Sequence, residues 1–130
     1  MLLTKIIPRV SETDGAGHIN NTVMPVWFEA GRKDIFKLLT PDLCFKRWRV
    51  ALVNMNLDYV AQTRFQEDVL VKTWIEKIGN KSFVVYEELH QGDRLCAKGT
   101  ATYVYFNYES QSAETIPEAA RVGLSKHLKI

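Results

Sequence analysis

Asn20-Asn21-Thr22-Val23-Met24-Pro25-Val26-Trp27-Phe28-Glu29-Ala30-Gly31-Arg32-Lys33-Asp34-Ile35-Phe36-Lys37-Leu38 is the stretch on which the reading of the fold turns. Met24, Phe28, Gly31, Ile35 and Leu38 recur at helical spacing, and Val23, Trp27 and Ala30 widen the stripe. The pattern predicts one long helix, buried on most of its circumference. Asn20 or Asn21 is placed to cap it, because a short side-chain oxygen bonds the free amides of a first turn. Pro25 falls near that turn, where a missing N–H costs little. Arg32, Lys33, Asp34 and Lys37 gather polar groups toward the end, and Thr40-Pro41-Asp42 stops the helix.

On either side the pattern changes to strands. Leu3 to Val10 reads as a short first strand, and Asp14-Gly15-Ala16-Gly17 as the turn that follows it. Beyond the helix, Val53, Met55, Leu57 and Tyr59 alternate with Asn54, Asn56 and Asp58, which gives one apolar face. Val69 to Ile78, Ser82 to Gln91 and Leu95 to Asn107 are three further runs. Gly79-Asn80 and Gly92-Asp93 between them predict hairpins and therefore antiparallel neighbours. Ala97, Gly99 and Ala101 share a face, where small side chains would let a helix lie close. Pro117 to Leu128 reads as a peripheral second helix. The expected architecture is a single α+β domain over residues 1–130, one long helix against a five-stranded antiparallel sheet. One helix cannot cover such a sheet and hide its edges, so pairing with a second copy is expected.

Composition narrows the function. Of 130 residues, 46% are hydrophobic and no low-complexity tract interrupts them, as in a folded domain. Met1-Leu2-Leu3-Thr4-Lys5-Ile6-Ile7-Pro8 is too short and too quickly charged for a secretory signal. No apolar run approaches the roughly 20 residues of a membrane-spanning helix. The formal charge of +2, with Lys and Arg scattered among acids, argues against nucleic acid as a partner. Cys44 and Cys96 have neither metal-ligand spacing nor a disulfide framework. Free thiols and a cytoplasmic location are therefore expected.

The chemistry concentrates in Ser11-Glu12-Thr13-Asp14-Gly15-Ala16-Gly17-His18-Ile19-Asn20-Asn21. Gly15 and Gly17 let the backbone turn tightly and admit a ligand. Free amides at a helix start suit an anion or a developing oxyanion. Asp14 lies seven residues before Asn21 and reaches the same space if the turn folds back. The same residues also suit an ordinary strand-to-helix loop with capping Asp and Asn, and spacing alone does not choose. His18 either orients Asp14 or packs locally. Glu29 is an alternative catalytic carboxylate or a paired structural group, and Asn54, Asn56 and Asp58 form a polar strand face. Asp14, His18 and Glu29 match no metal-site spacing, so neither metal nor cofactor is expected.

The signature Asp14-x-x-Gly17-His18-x-Asn20-Asn21, followed by Trp27-Phe28-Glu29-Ala30-Gly31-Arg32, resembles the acyl-CoA thioesterases of the 4-hydroxybenzoyl-CoA thioesterase class. A weaker similarity continues through Tyr59 to Asp68 and the Ile78 to Ser82 turn, so about the first 105 residues are covered. The resemblance implies a hot-dog fold, a long helix wrapped by an antiparallel sheet, assembled as a homodimer or homotetramer with sites at the subunit interface. It implies Asp14 as catalytic carboxylate, acting as nucleophile or general base, and the Asn21 backbone N–H as donor to the thioester carbonyl. Gly17, His18 and Asn20 are the expected substrate-side residues. Related branches carry Tyr or His where this chain has Asn21, so only a backbone role transfers there. The implied activity is hydrolysis of a small or medium acyl-CoA, with Arg64, Lys77 and Lys81 as candidate phosphate contacts. Cleavage of an acyl carrier protein thioester and a non-catalytic thioester-binding module are the alternatives.

Overall fold

The computed structural model describes all 130 residues. In chain order the elements are β1 (Leu2–Ile6), α1 (Met24–Ala30), α2 (Lys33–Leu39), β2 (Val50–Tyr59), β3 (Val69–Ile78), β4 (Ser82–Gln91), β5 (Arg94–Asn107), β6 (Ser112–Ala113) and α3 (Glu118–Ser125). Single 3-10 turns sit at Val10–Glu12 and Phe45–Arg47. The five long strands form one antiparallel sheet in the order β1-β3-β4-β5-β2, and the two-residue β6 pairs with the end of β5. The sheet curls around the helices in the α+β hot-dog arrangement. No helix is long and apolar enough to cross a membrane.

The apolar stripe is where its spacing puts it, but the helix is not continuous. Met24, Trp27 and Phe28 of α1 are buried against Val69, Val71, Leu89 and Ala97. Ile35 and Leu39 of α2 are buried with Ile75, Phe83, Val85, Ala101 and Tyr103, and α3 closes that half with Ala120 and Leu124. Between the two cores the helix breaks at Gly31 and Arg32. A Cβ on Gly31 would stand 2.8 Å from Thr73 Oγ1 and 2.9 Å from Glu87 Oε2, so only glycine brings the helix this close to the sheet.

Arg32 is a correction to the polar helix end expected above. It is 3% exposed, and its Nε donates to Glu87 Oε1 (2.7 Å) and its Nη1 to the Tyr103 hydroxyl (2.8 Å). Glu87, 2% exposed, also accepts from Thr73 Oγ1 (2.8 Å). Burial pushes the Glu87 carboxyl up to about 7, against the pull of Arg32 and Thr73. Removing one partner of such a pair leaves an uncompensated buried charge, which typically costs about 3–5 kcal/mol. The network thus fixes the helix break to three strands at once.

Three other expectations change. The first strand ends at Ile6, and Val10 begins a 3-10 turn instead. In β2 the register steps from Leu52↔Tyr103 to Asn54↔Thr102, so Val53 is a bulge residue. The bulge resets the alternation, which puts Val50 and Leu52 on the same face as Met55, Leu57 and Tyr59. Gly99 also proves small for a different reason. A Cβ there would lie 2.2 Å from the Asn56 carbonyl oxygen, so it admits the neighbouring strand β2, not a helix. β2 is an edge of the sheet, and it leaves Leu52, Val53, Met55 and Tyr59 exposed.

Candidate active site

The glycine turn folds as its composition demands. Gly15 (φ 89°) and Gly17 (φ 87°) adopt left-handed backbone conformations that other residues rarely enter. They let Thr13 and Ile19 bridge and Asp14 N–H donate to the His18 carbonyl (2.9 Å). Asp14 Oδ1 accepts from Ala16 N–H (2.8 Å), and the side chain is 39% exposed. His18 Nδ1 stands 3.9 Å from Asp14 Oδ2, beyond hydrogen-bond range. His18 therefore does not orient the carboxylate through a direct bond.

Asn20 does brace the chain, but a turn earlier than a helix cap. Its Oδ1 accepts from both the N–H (2.9 Å) and hydroxyl (2.8 Å) of Thr22. Its N–H donates to the Glu12 carbonyl (2.9 Å), and its own carbonyl accepts from Val23 N–H (3.0 Å). The helix begins only at Met24, with Val23 at the cap position and no side-chain cap bond. Asn20 and Asn21 are thus not the helix start. Within the turn Asn20–Val23, only the Asn21 N–H lacks an acceptor in the protein.

The turn is tied back to the Asp14 segment. Glu12 accepts from Arg9 N–H (2.7 Å) and Trp27 Nε1 (2.9 Å). Burial alone would push the Glu12 carboxyl up, but these bonds hold it below its ordinary range. Glu12 is a charged brace between the segment and α1 that the motif reading passes over.

Asn21 borders an open cleft of about 500 Å³, walled by Ile19, Met24, Tyr59, Val60 and Thr63. Asp14 is on the adjoining hairpin and is not among the lining residues. The far wall is the segment after β2, and it is clamped from the β4–β5 hairpin. Gln91 Nε2 donates to the carbonyls of Arg64 (2.7 Å) and Glu67 (3.0 Å), and its Oε1 accepts from Arg64 N–H (2.9 Å). Ile19 N–H meets the Thr63 carbonyl and Phe65 N–H the Gly17 carbonyl, so this wall and the signature form one unit. Nothing in the sequence around Gln91 signals that clamp, because its partners are more than 20 residues away.

The remaining candidates separate. Glu29 is exposed, pairs with no basic side chain, and borders apolar grooves with Leu52 and Phe36. It is not the paired structural group expected in the helix. Asn54, Asn56 and Asp58 are exposed and stand on the face of β2 away from the core. Arg64 bridges to His18, whereas Lys77 and Lys81 lie at the other end of β3, roughly 30 Å along the strand. No group of three or more His, Cys, Asp or Glu is placed to hold a metal ion.

Comparisons with known proteins agree with this fold. The family model of the thioesterase-like superfamily matches residues 8–124. A predicted thioesterase from Bacillus stearothermophilus superposes with a TM-score of 0.96 at 56% identity, covering 98% of this chain and 96% of that one. A thioesterase from Thermus thermophilus, solved in complex with coenzyme A and Zn, shares the fold with a TM-score of 0.85 at 22% identity, over 96% of this chain and 92% of that one. The uncharacterized protein YsmA of Bacillus subtilis (strain 168) is 27% identical over 113 residues, 84% of this chain and 75% of that protein.

Proposed function

This chain belongs to the thioesterase-like superfamily and is a thioester hydrolase, and we propose that its substrate is a small or medium acyl-CoA, cleaved with Asp14 and the Asn21 N–H. The observation that carries the proposal is the unpartnered Asn21 amide at the edge of an open cleft, in a turn whose neighbouring amides are all engaged. A donor held without a partner in the resting protein is free to meet charge that develops on a carbonyl oxygen. α1 has only seven residues, so the amide itself, more than a helix dipole, supplies that stabilisation.

In this reading the thioester carbonyl oxygen points at the Asn21 N–H and its carbon faces Asp14. Asp14 either takes the proton of an attacking water or attacks the carbon itself. In the first route the tetrahedral adduct collapses to the acid and the CoA thiol. In the second, a mixed anhydride forms, the thiolate leaves, and water then opens the anhydride to regenerate the carboxylate. The coenzyme A bound by the Thermus thermophilus relative supports CoA as the carrier. A panel of acyl-CoA substrates, followed by release of free thiol, tests the proposal. Turnover should appear with at least one chain length, and no thiol release across the panel would sink it.

The proposed working form is a homo-oligomer. Edge strand β2 presents unpaired backbone together with exposed Leu52, Val53 and Met55, and Val26 of α1 is exposed as well. Such an edge invites pairing with a second chain, and a second copy closes it by symmetry. Light scattering at micromolar concentration should show at least a dimer. A clean monomer with full thioesterase activity would contradict this part of the proposal.

A further inference from the structure

Tyr59 is the last residue of β2, paired with Ala97, and its hydroxyl donates to the Asn21 carbonyl at 2.6 Å. Asn21 lies two residues ahead of the cap Val23, so its carbonyl has no backbone donor, and α1 has no side-chain cap to steady its entry. From the other side, Asn20 holds the turn through the Glu12 carbonyl, Val23 N–H and Thr22. Tyr59 supplies the missing hold from the sheet.

We infer that Tyr59 is a positioning residue for the hydrolytic site: its hydroxyl supplies the donor that the backbone does not give the Asn21 carbonyl and fixes the turn that presents the Asn21 N–H to the substrate. The inference rests on the proposed role of that amide. Tyr59 acts from the wall of the same cleft. Because it ends the edge strand, it also links the geometry of β2 to that of the turn. Anything that shifts the end of β2 shifts the donor.

Tyr59→Phe is the test, since it keeps the ring and removes only the hydroxyl. Tyr59 is 53% exposed, so the variant should fold with an unchanged melting temperature. The kcat for the best acyl-CoA should fall roughly tenfold, the effect of losing about one neutral hydrogen bond from the arranged transition state, with KM within about twofold. In parallel, amide exchange read by NMR at Thr22 and Val23 should quicken by roughly tenfold, because the turn opens more often. Unchanged kcat together with unchanged exchange overturns the inference. A lower kcat with unchanged exchange overturns it too, since the hydroxyl would then act on substrate directly. Faster exchange with unchanged kcat overturns it as well, since the hold on the turn would then not bear on the reaction. Absence of any thiol release from the wild type, with faster exchange in the variant, sinks the proposed function and not the brace.

Discussion

Asp14→Asn should lower thioester turnover by at least about 100-fold, the lower end of general acid–base contributions, with little change in melting temperature. The substitution removes the negative charge that either route requires. It preserves what the structure shows Asp14 doing for the fold. An Asn Oδ1 can still accept from Ala16 N–H, as Asp14 Oδ1 does at 2.8 Å. The side chain is 39% exposed and makes no hydrogen bond to His18, so little buried structure depends on its charge. A purely structural Asp14 predicts the reverse, because Asn serves the same turn as well and activity would then stay close to wild type. Measuring thiol release and thermal melting on one preparation separates the two outcomes. Near-wild-type turnover would remove Asp14 from the reaction.

Asn21→Pro should have an effect of similar or larger size. Proline removes the N–H proposed to meet the thioester oxygen, and loss of one such donor typically lowers kcat roughly 100- to 1,000-fold. The companion variant Asn21→Ala keeps the amide and drops only an exposed side chain. It should retain activity within about fivefold, because the exposed side chain enters no bond that holds the turn. Circular dichroism on both variants checks that α1 is intact. A folded Asn21→Ala without activity would mean that the side chain, not the backbone, carries the role.

Much of this arrangement is legible along the chain, for local reasons. The buried sides of β3 and β4 alternate as residue type says they should, with Val69, Val71, Phe83, Val85 and Leu89 inward. Gly15 and Gly17 stand where a tight turn precedes the helix, and both need the left-handed backbone. What the pattern does not reveal depends on distant partners. At the helix break residue 31 must be glycine because Thr73 and Glu87 occupy the space beside it, and neither is near in sequence. Arg32 has the pattern of a solvated helix end, yet Glu87 and Tyr103 meet it from the sheet. Asn20 is a brace, as its residue type suggests, but Pro25 and the bonds to Glu12 and Thr22 delay the helix to Met24. Tyr59 reads as one more apolar residue of an alternating strand. Only the bond from its hydroxyl to the Asn21 carbonyl, 38 residues away, marks it.

The bulge at Val53 bears on how β2 tolerates changes in length. Val53 is the residue without a partner, flanked by the pairs Leu52↔Tyr103 and Asn54↔Thr102. If it were excised, the strand would alternate without interruption, and every inward side chain from Val50 to Tyr59 would keep its face. Excision of Asn56, by contrast, would swing part of the strand inside out. A relative one residue shorter in this region should therefore be aligned with its gap at position 53, however well the neighbouring letters match elsewhere. The same site is where an added residue has already been absorbed, so loop grafts or labels placed there would disturb the fold less than at any paired position of β2.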